Sequence, residues 1–370
     1  MRVLIGFVAA GVVAAIAVVI VTLAGLYDVA ATKPHFRIVY WALEIGMRRS
    51  VQVHAAAIKV PPLGDEAQVI RGFRHFQTGC LVCHSARNLP VHPTVWRMQP
   101  EAPDLTEKVS DWSANELFWI VKHGIKMTGM PAWEAQERDD EVWDLVAFLQ
   151  VLPGLTAERL RYMTRQDESD AAVRASEGQL IAMAGPPQQA EAACVRCHGF
   201  DGAGHPSGAF PRLNGQDADY LHAQLKRYAK GERPSGVMAP VARALGDEEM
   251  RLVANHYASM PANAPARAAS GDLSRLQTGA ALAAAGAPAR GIEACRSCHG
   301  RTGTGTQVAP ALAGQYVGYL AQQLTLWKTG ARRDSDDVMG RIARRLSDAE
   351  IAAVASYFAA LPARDAVARE

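Results

Sequence analysis

The sequence has little net charge, few strand-like segments and no cysteine outside one repeated motif. Its formal net charge is +2 and its pI is about 8.2, so it has no field strong enough to indicate a nucleic-acid-binding protein. Alternation of apolar and polar residues with a period of two is scarce, which favours helices over strands. All six cysteines fall within the same motif, and that motif has to account for their chemistry.

The N-terminus carries a long apolar segment. Residues 3–27 contain no charged side chain, and a helix of that length crosses a hydrocarbon core of about 30 Å at about 1.5 Å per residue. The apolar core of a cleaved signal peptide is normally only about 7 to 15 residues long, so residues 1–28 are predicted to be a retained transmembrane anchor. The small residues Val29, Ala30 and Ala31 leave cleavage open as the alternative.

The six cysteines form three copies of the pattern Cys-x-x-Cys-His. A structural zinc site needs four ligands, but these three pairs lie about a hundred residues apart and do not divide into four-cysteine sites. A redox dithiol would leave the histidine without a role in every copy. The pattern is typical of c-type heme attachment, in which both thiols bind the heme and the histidine lies below the iron. The copies are Cys80-Leu-Val-Cys83-His84, Cys194-Val-Arg-Cys197-His198 and Cys295-Arg-Ser-Cys298-His299.

Three such motifs predict three covalently bound c-type hemes, with the three histidines as axial ligands of the iron. Hemes of this type are attached outside the cytoplasmic membrane, so the anchor is expected to run with its N-terminus inside. The protein is therefore predicted to be a single-pass protein of the inner membrane, with its heme units in the periplasm and residues 1–28 in the bilayer.

The second and third motifs belong to an internal duplication. One offset of 101 residues and another of 99 residues map the two halves onto each other, as expected when a loop loses two residues and regains them. The last two heme units are therefore expected to be sister domains. The matched residues include His198 and His299, Met238 and Met339, Pro211 and Pro310, and Gln216 and Gln315.

A low-spin electron-transfer heme needs a second axial ligand, and methionine opposite histidine raises the reduction potential. Met238 and Met339 each lie 40 residues after the histidine of their own motif, and this equal spacing predicts that both bind iron. In the first unit Met130 is preferred over Met127, because a glycine precedes it and a proline follows it in an extended loop. Met127 stays open as the alternative.

Each proximal histidine is also expected to donate its second ring N–H to an acceptor that fixes its orientation. A Pro-x-Leu segment follows every motif. A proline carbonyl is a suitable acceptor, because proline holds the chain and has no N–H of its own. The predicted acceptors are Pro103, Pro211 and Pro310.

Helices are expected to frame each heme unit. Three segments, residues 140–152, 247–260 and 347–361, begin with acidic residues and end at a proline, as terminal helices do. The predicted fold class is all-α, with an N-terminal transmembrane helix followed by three heme domains, of which the last two are the duplication. The predicted segments are the anchor (1–28), a membrane-proximal segment (29–64), the first unit (65–155), a linker (156–173), the second unit (174–262) and the third unit (263–370).

The order of Cys-x-x-Cys-His, Pro-x-Leu, axial methionine and final helix resembles class I cytochrome c. The second and third units, with CHGFDGAG, PRLNGQ and VMAP, resemble the diheme cytochromes c4. The first unit, through FWIVKHGIKMTGMPAW, resembles monoheme domains fused to or paired with membrane dehydrogenases and oxidases. Two departures are Ser85, which replaces the usual glycine after His84, and VMGR in the third unit. The resemblance to cytochromes c4 implies close electron transfer between the last two hemes.

These observations predict an electron carrier and not an enzyme. The protein would pass single electrons through three His/Met hemes, from a quinol-oxidising complex or a dehydrogenase to an acceptor such as a terminal oxidase. The alternative is a cytochrome subunit of a stable membrane dehydrogenase or oxidase complex. Peroxidase chemistry at a five-coordinate heme is disfavoured, because every unit offers a methionine.

Overall fold

The computed structural model describes residues 2–30, 33, 35–84, 95, 98–164, 194–205, 207–262, 273–306, 309–334 and 336–363. These residues form helices, with one isolated β-bridge and no strand among them, so the all-α prediction is confirmed. The helices are α1 (Arg2–Leu23), α2 (Arg37–Ala55), α3 (Glu66–His75), α4 (Leu105–Lys108), α5 (Ala114–His123), α6 (Asp139–Val151), α7 (Ala157–Thr164), α8 (Ala218–Ala229), α9 (Met238–Arg243), α10 (Asp247–Ser259), α11 (Leu273–Ala285), α12 (Cys295–His299), α13 (Val317–Thr329), α14 (Val338–Ala343) and α15 (Asp348–Ala360).

The predicted linker 156–173 begins as α7 and continues beyond the described residues after residue 164. The start of the second unit, as far as residue 193, and Ser85 also lie outside the described residues.

α1 contains the apolar N-terminal segment. Within it, the 19 residues Ile5–Leu23 are long and apolar enough to cross a membrane, and none of this stretch is buried against the rest of the chain. No other helix in the described part of the chain meets this condition. A membrane anchor and a signal sequence share such length and composition.

α2 joins α1 to the first unit. Its C-terminal end packs on α5 and buries Val51 and Ala55. The side-chain amide of Asn115 donates a hydrogen bond to the Ala55 carbonyl at 2.9 Å. The N-terminal end of α2 leaves Tyr40 and Trp41 exposed. One end of this helix is therefore held by a heme unit, while the other end presents aromatic side chains.

The first and third units are built on the same kind of helix crossing. α3 crosses α6 at Gly72, where an added Cβ would lie 1.9 Å from the Asp144 carbonyl oxygen. α11 crosses α15 at Gly279, where an added Cβ would lie 2.2 Å from the Ala353 carbonyl oxygen. Because protein interiors are close-packed, a larger side chain at either position would force the helices apart.

The three predicted terminal helices are confirmed as α6, α10 and α15. α15 begins with a capping box, in which the Glu350 carboxylate accepts from the Ser347 amide at 2.9 Å and the Ser347 hydroxyl accepts from the Glu350 amide at 3.2 Å. This arrangement satisfies two N–H groups that have no partner within the helix.

The first and second units share an apolar core. Ala209 and Phe210 of the second unit are buried in the same cluster as Phe73 and Phe148 of the first unit. Burying a side chain of this size contributes about 1.5–3 kcal/mol. The two units are therefore held together by apolar packing in addition to their polar contacts.

Candidate heme sites

The three motif histidines make the same hydrogen bond in all three units. In each unit the ring Nδ1 donates a hydrogen bond to the proline carbonyl predicted from the sequence, so that prediction is confirmed. The bond fixes the ring and its tautomer and leaves Nε2 free to bind a metal. The pairs are His84 and Pro103 at 3.0 Å, His198 and Pro211 at 3.0 Å, and His299 and Pro310 at 2.9 Å.

The rings are held in their neutral form. Burial lowers the pKa of His84, His198 and His299 below the ordinary value of 6.5, although the hydrogen bond to proline acts in the opposite direction. Burial acts this way because it disfavours the charged ring. A neutral imidazole is the form that binds iron.

The six motif cysteines are partly buried. Burial raises the pKa of Cys80 to about 12 and that of Cys197 to about 11, whereas a redox dithiol requires a lowered thiol pKa. Among the described residues there is no group of three or more His, Cys, Asp or Glu side chains that could hold a metal ion. The raised thiol pKa opposes the dithiol alternative.

A cavity of about 1280 Å³ lies between the second and third units and extends to the first unit, where His75, Trp133 and Glu141 are among its lining residues. It exceeds the roughly 300–1,000 Å³ that is usual for small-molecule sites. His198 and Met238 line it from the second unit, and His299 and Met339 line it from the third, together with all four cysteines of those units. The residues predicted to hold two different hemes therefore border one continuous space.

The two predicted methionine ligands of the sister units occupy the same point of the fold. Met238 is the first residue of α9, and Met339 is the second residue of α14. Both of these short helices pack on the longer helix before them, α8 and α13 respectively. The duplication is thus preserved in three dimensions at the predicted ligands.

In the first unit, the loop before α6 orients its two candidate methionines differently. Met127 has a φ of 60° and is 91% exposed. Met130 is half-buried, and its amide donates to the Thr128 hydroxyl at 3.1 Å. This geometry favours Met130. Sequence reasoning did not consider Met98, whose methyl group lies against Gly129 in the same loop.

Two glutamines join the second and third units in equivalent ways. Gln315 accepts from the Arg212 amide at 3.0 Å and donates to the Arg212 carbonyl at 3.0 Å. Gln216 accepts from the Ala311 amide at 2.8 Å and donates to the Ala311 carbonyl at 3.1 Å. Both side chains are buried. The sister units therefore meet with the same residues on each side, as in a twofold-symmetric dimer.

These glutamine contacts reach the proximal histidines through one peptide group each. The Arg212 N–H belongs to the same peptide group as the Pro211 carbonyl, which accepts from His198. The Ala311 N–H belongs in the same way to the peptide group of the Pro310 carbonyl in the third unit. Because hydrogen bonds in a chain polarise one another, each glutamine strengthens the histidine acceptor of the other unit.

Two buried arginines lie in the same interface and line the cavity. Arg233 donates to Gln323 at 2.9 Å and to the Tyr319 hydroxyl at 3.1 Å, and Arg332 donates to Gln224 at 3.3 Å. In the described residues, no carboxylate lies within ion-pair distance of either guanidinium. A buried cation requires a counter-charge. Heme carries two propionate carboxylates, so the residues of this cavity fit heme.

The first unit contacts both sister units through the start of α6. Sequence reasoning missed these residues, because their partners lie far away along the chain and no local pattern marks them. Arg138 donates to the Pro234 carbonyl at 2.9 Å, Glu141 accepts from the Ser235 hydroxyl at 2.6 Å, and Asp140 accepts from Gln322 at 2.6 Å.

Taken together, the helical fold, the Cys-x-x-Cys-His motifs and the histidine–proline pairs define a c-type cytochrome. Comparison with known families agrees. Residues 67–149 match the family model described as cytochrome c oxidase, cbb3-type, subunit III. Residues 182–261 and 277–362 match the cytochrome c family model. The chain belongs to the cytochrome c family, whose domains hold heme covalently.

Similar proteins narrow the class further. A protein of Stutzerimonas stutzeri named thiosulfate dehydrogenase electron acceptor is 45% identical over 189 residues, covering 50% of this chain and 87% of the relative. Cytochrome c4 of Pseudomonas aeruginosa is 36% identical over 178 residues, covering 47% of this chain and 86% of the relative. The solved structure of thiosulfate dehydrogenase (TsdBA) from Marichromatium purpuratum is 36% identical with a TM-score of 0.43, covering 50% of this chain and 40% of that one. The similarity to the first two cytochromes indicates electron transfer.

Proposed function

We propose that this protein is a membrane-tethered periplasmic electron carrier that passes single electrons through three covalently bound hemes. The observation that carries the proposal is the repeated pairing of a Cys-x-x-Cys histidine with a proline carbonyl, at 2.9 to 3.0 Å in all three units. The exposed apolar helix α1 supports the tether. The proposed compartment is the periplasmic side of the inner membrane.

Each part of the chain has a defined role in this proposal. The cysteines attach the hemes, the histidines and methionines bind the iron, and the proline carbonyls hold the histidine rings. Arg233 and Arg332 would supply positive charge for the heme carboxylates. Heme, when bound, supplies the one-electron chemistry of its iron. The proposed sets are Cys80, Cys83, His84 and Met130; Cys194, Cys197, His198 and Met238; and Cys295, Cys298, His299 and Met339.

The packing supports electron transfer between neighbouring units in chain order. Cys80 of the first unit and Cys197 of the second pack against the same apolar cluster. The predicted ligands of the second and third units border one cavity. The second unit is therefore proposed as the link between the other two.

The proposed donor is a membrane or periplasmic dehydrogenase, and the proposed acceptor is a terminal oxidase. The name of the Stutzerimonas relative supports a dehydrogenase that delivers electrons to the sister units. The match of residues 67–149 to a subunit of a cytochrome oxidase supports electron exit through the first unit. A quinol-oxidising complex is the alternative donor.

A redox titration of the detergent-purified full-length protein, with optical and EPR detection, tests the heme assignment. The expected result is three one-electron transitions from low-spin hemes. Replacing Met130, Met238 or Met339 by leucine is expected to change one heme each. Met127→Leu is the matched control and is expected to change none. Fewer than three hemes per chain, or carbon monoxide binding by the reduced wild type, would contradict the proposal.

A second candidate function is that of a fixed subunit in a dehydrogenase complex, which the named relative also favours. Purification from native membranes in mild detergent separates the two functions. A dehydrogenase recovered in stoichiometric amount through several columns supports the subunit. Recovery of this cytochrome alone, with electron transfer restored by adding the separate dehydrogenase, supports the carrier.

A further inference from the structure

We propose that Glu141 of the first unit is a positioning residue for Met238, the sixth iron ligand assigned to the second unit. The inference rests on the proposed function, because it takes Met238 as an iron ligand. It gives the first unit a role besides carrying its own heme, since its docking holds the loop that presents the methionine of its neighbour.

Glu141 lies in the first turn of α6 and is 5% exposed. Its Oε1 accepts from the Ser235 hydroxyl at 2.6 Å, and its Oε2 accepts from the Gly236 amide at 2.7 Å. Arg138 pairs with Oε1 at 2.9 Å, and the Trp133 ring N–H lies 3.3 Å from Oε2. Because both oxygens are used by groups of two units, the carboxylate links the first unit rigidly to the loop at Ser235.

Ser235 passes this restraint on to the methionine. Its hydroxyl oxygen accepts from the Met238 amide at 3.0 Å and from the Val237 amide at 3.3 Å. Its carbonyl accepts from the Ala239 amide at 3.2 Å. α9 begins at Met238, and the first amides of a helix have no partner inside the helix. Ser235 therefore supplies an acceptor for the first amide of α9, and the hydrogen bond to Glu141 sets the orientation of that hydroxyl.

At the equivalent position, the third unit carries a carboxylate of its own, which pairs within that unit. The offset of 101 residues that maps Met238 onto Met339 also maps Gly236 onto Asp337. Asp337 stands just before α14 and forms an ion pair with Arg344. In the second unit, a glycine occupies this position and the carboxylate comes from the first unit.

Gly236 is also a point of close approach between the units. An added Cβ at this position would lie 2.4 Å from two atoms of the Trp133 ring. Trp133 in turn stacks on His75, with ring centroids 5.8 Å apart. The glycine is therefore explained by the docking of the first unit, and its missing side chain lets the Glu141 carboxylate reach the backbone of the loop.

The test compares Glu141→Gln and Ser235→Ala with Glu134→Gln in the full-length heme-loaded protein. Glutamine replaces one carboxylate oxygen by an NH2 group that cannot accept, so one of the two loop groups loses its acceptor. Ser235→Ala removes the hydroxyl that accepts from the Met238 amide but keeps the Glu141–Arg138 pair. This variant decides the question if Glu141→Gln does not fold. Glu134 is the matched control, because it pairs with Arg243 of the second unit at an exposed position.

Met238→Leu first identifies the spectroscopic signals of the second-unit heme. Glu141→Gln and Ser235→Ala are expected to alter the same signals. The optical band of methionine-bound ferric iron should weaken for one heme in three, the reduction potential of that heme should fall, and its reduced form should gain carbon monoxide binding. Glu134→Gln should leave all three hemes as in the wild type.

The possible failures are distinct. If Met238→Leu changes no heme signal, the ligand assignment in the proposed function is wrong. If Met238→Leu changes a signal but both Glu141→Gln and Ser235→Ala match the wild type, the positioning role is wrong and the proposed function stands. A uniform change in all three hemes would also overturn the positioning role, because it would indicate general loss of structure.

Discussion

The second and third units are copies of one domain, yet the loops that carry their predicted methionine ligands are held by different means. In both copies the proximal histidine donates to its proline, at 3.0 Å and 2.9 Å. At the methionine loop, the second unit is bonded to Glu141 of the first unit, whereas the third unit has Asp337, which pairs with Arg344 of the same unit. The histidine–proline bond is the same in both copies, while the surroundings of the methionine loop depend on what packs against it.

The surface between the sister units is, by contrast, symmetric. Gln216 of the second unit makes two hydrogen bonds to the backbone of the third unit, and Gln315 of the third unit makes the same two bonds to the backbone of the second. Arg233 and Arg332 occupy matching positions in the two units. Each copy faces the other there, so the same residues serve both sides. Of the two copies, the second unit places its methionine loop against the first unit. The two copies therefore differ in the surroundings of this loop.

Replacing Gly236 by alanine is expected to have the largest effect on the contact between the first unit and the methionine loop of the second. The added methyl group would lie 2.4 Å from the Trp133 ring, so the first unit has to shift, and overpacking of this kind costs about 1–3 kcal/mol. The expected result is a lower midpoint of thermal unfolding together with weakened signals of the second-unit heme. Calorimetry and heme absorbance on the same sample measure both.

Asp337→Ala is the matched change in the third unit. Asp337 is 38% exposed and pairs with Arg344 at the surface, so its removal is expected to have a small effect on stability. Equal destabilisation by the two substitutions would argue against different roles for the two positions.

The symmetric interface can be tested by replacing Gln315 with leucine. Loss of the bond to the Arg212 amide weakens the Pro211 carbonyl as an acceptor, so the His198 ring becomes less basic. The reduction potential of the second-unit heme is therefore expected to become more positive, although the substitution lies in the third unit. Unpaired buried groups also lower the stability by about 1–3 kcal/mol. A potentiometric titration resolved by heme measures the shift.

The reciprocal substitution is the control for this effect. Gln216→Leu is expected to shift the third-unit heme and to leave the second-unit heme unchanged. If either variant shifts only the heme of its own unit, the route through the shared peptide group is wrong.

The smallest expected effect concerns acid stability at the start of α15. The Arg290 guanidinium, helped by the Ser347 amide, lowers the pKa of Glu350 from 4.5 to about 2. Because the folded pKa lies below the unfolded value, this carboxylate stabilises the fold above about pH 4.5 and loses its contribution as the pH falls towards 2. In Glu350→Gln, stability measured by denaturant unfolding should depend less on pH in this window.

Glu249 is the equivalent position in the second unit and provides the control. It accepts from the Gly246 amide at 2.8 Å and has no arginine partner among the described residues. Glu249→Gln should therefore change the acid dependence less than Glu350→Gln. An equal change in both variants would contradict the role given to Arg290.

Much of the site could be predicted from the sequence, because its chemistry is local. The acceptor prolines follow their histidines by 19, 13 and 11 residues, so one short segment contains both partners. The terminal helices were predictable from their acidic starts and closing prolines. The crossing glycine Gly72 was not, because nothing near it in the sequence marks the carbonyl of Asp144 that it approaches.

The contacts between units were beyond sequence reasoning for the same reason. Glu141 and Ser235 lie 94 residues apart, and Gln322 and Asp140 lie 182 residues apart. The internal repeat matches Gln216 with Gln315 but gives them no role, since a match between copies does not say which groups face each other.

The sequence alone predicts where heme is attached and which residues bind the iron. Covalent attachment needs two cysteines and a histidine at a fixed short spacing, and such a spacing can be read from the sequence. Only the tertiary structure shows that the first unit is bonded to the methionine loop of the second. It also shows that each sister unit bonds to the peptide group of the other unit's acceptor proline. Those contacts depend on how separately folded surfaces fit together, and shape complementarity between distant segments has no local signature in a single sequence.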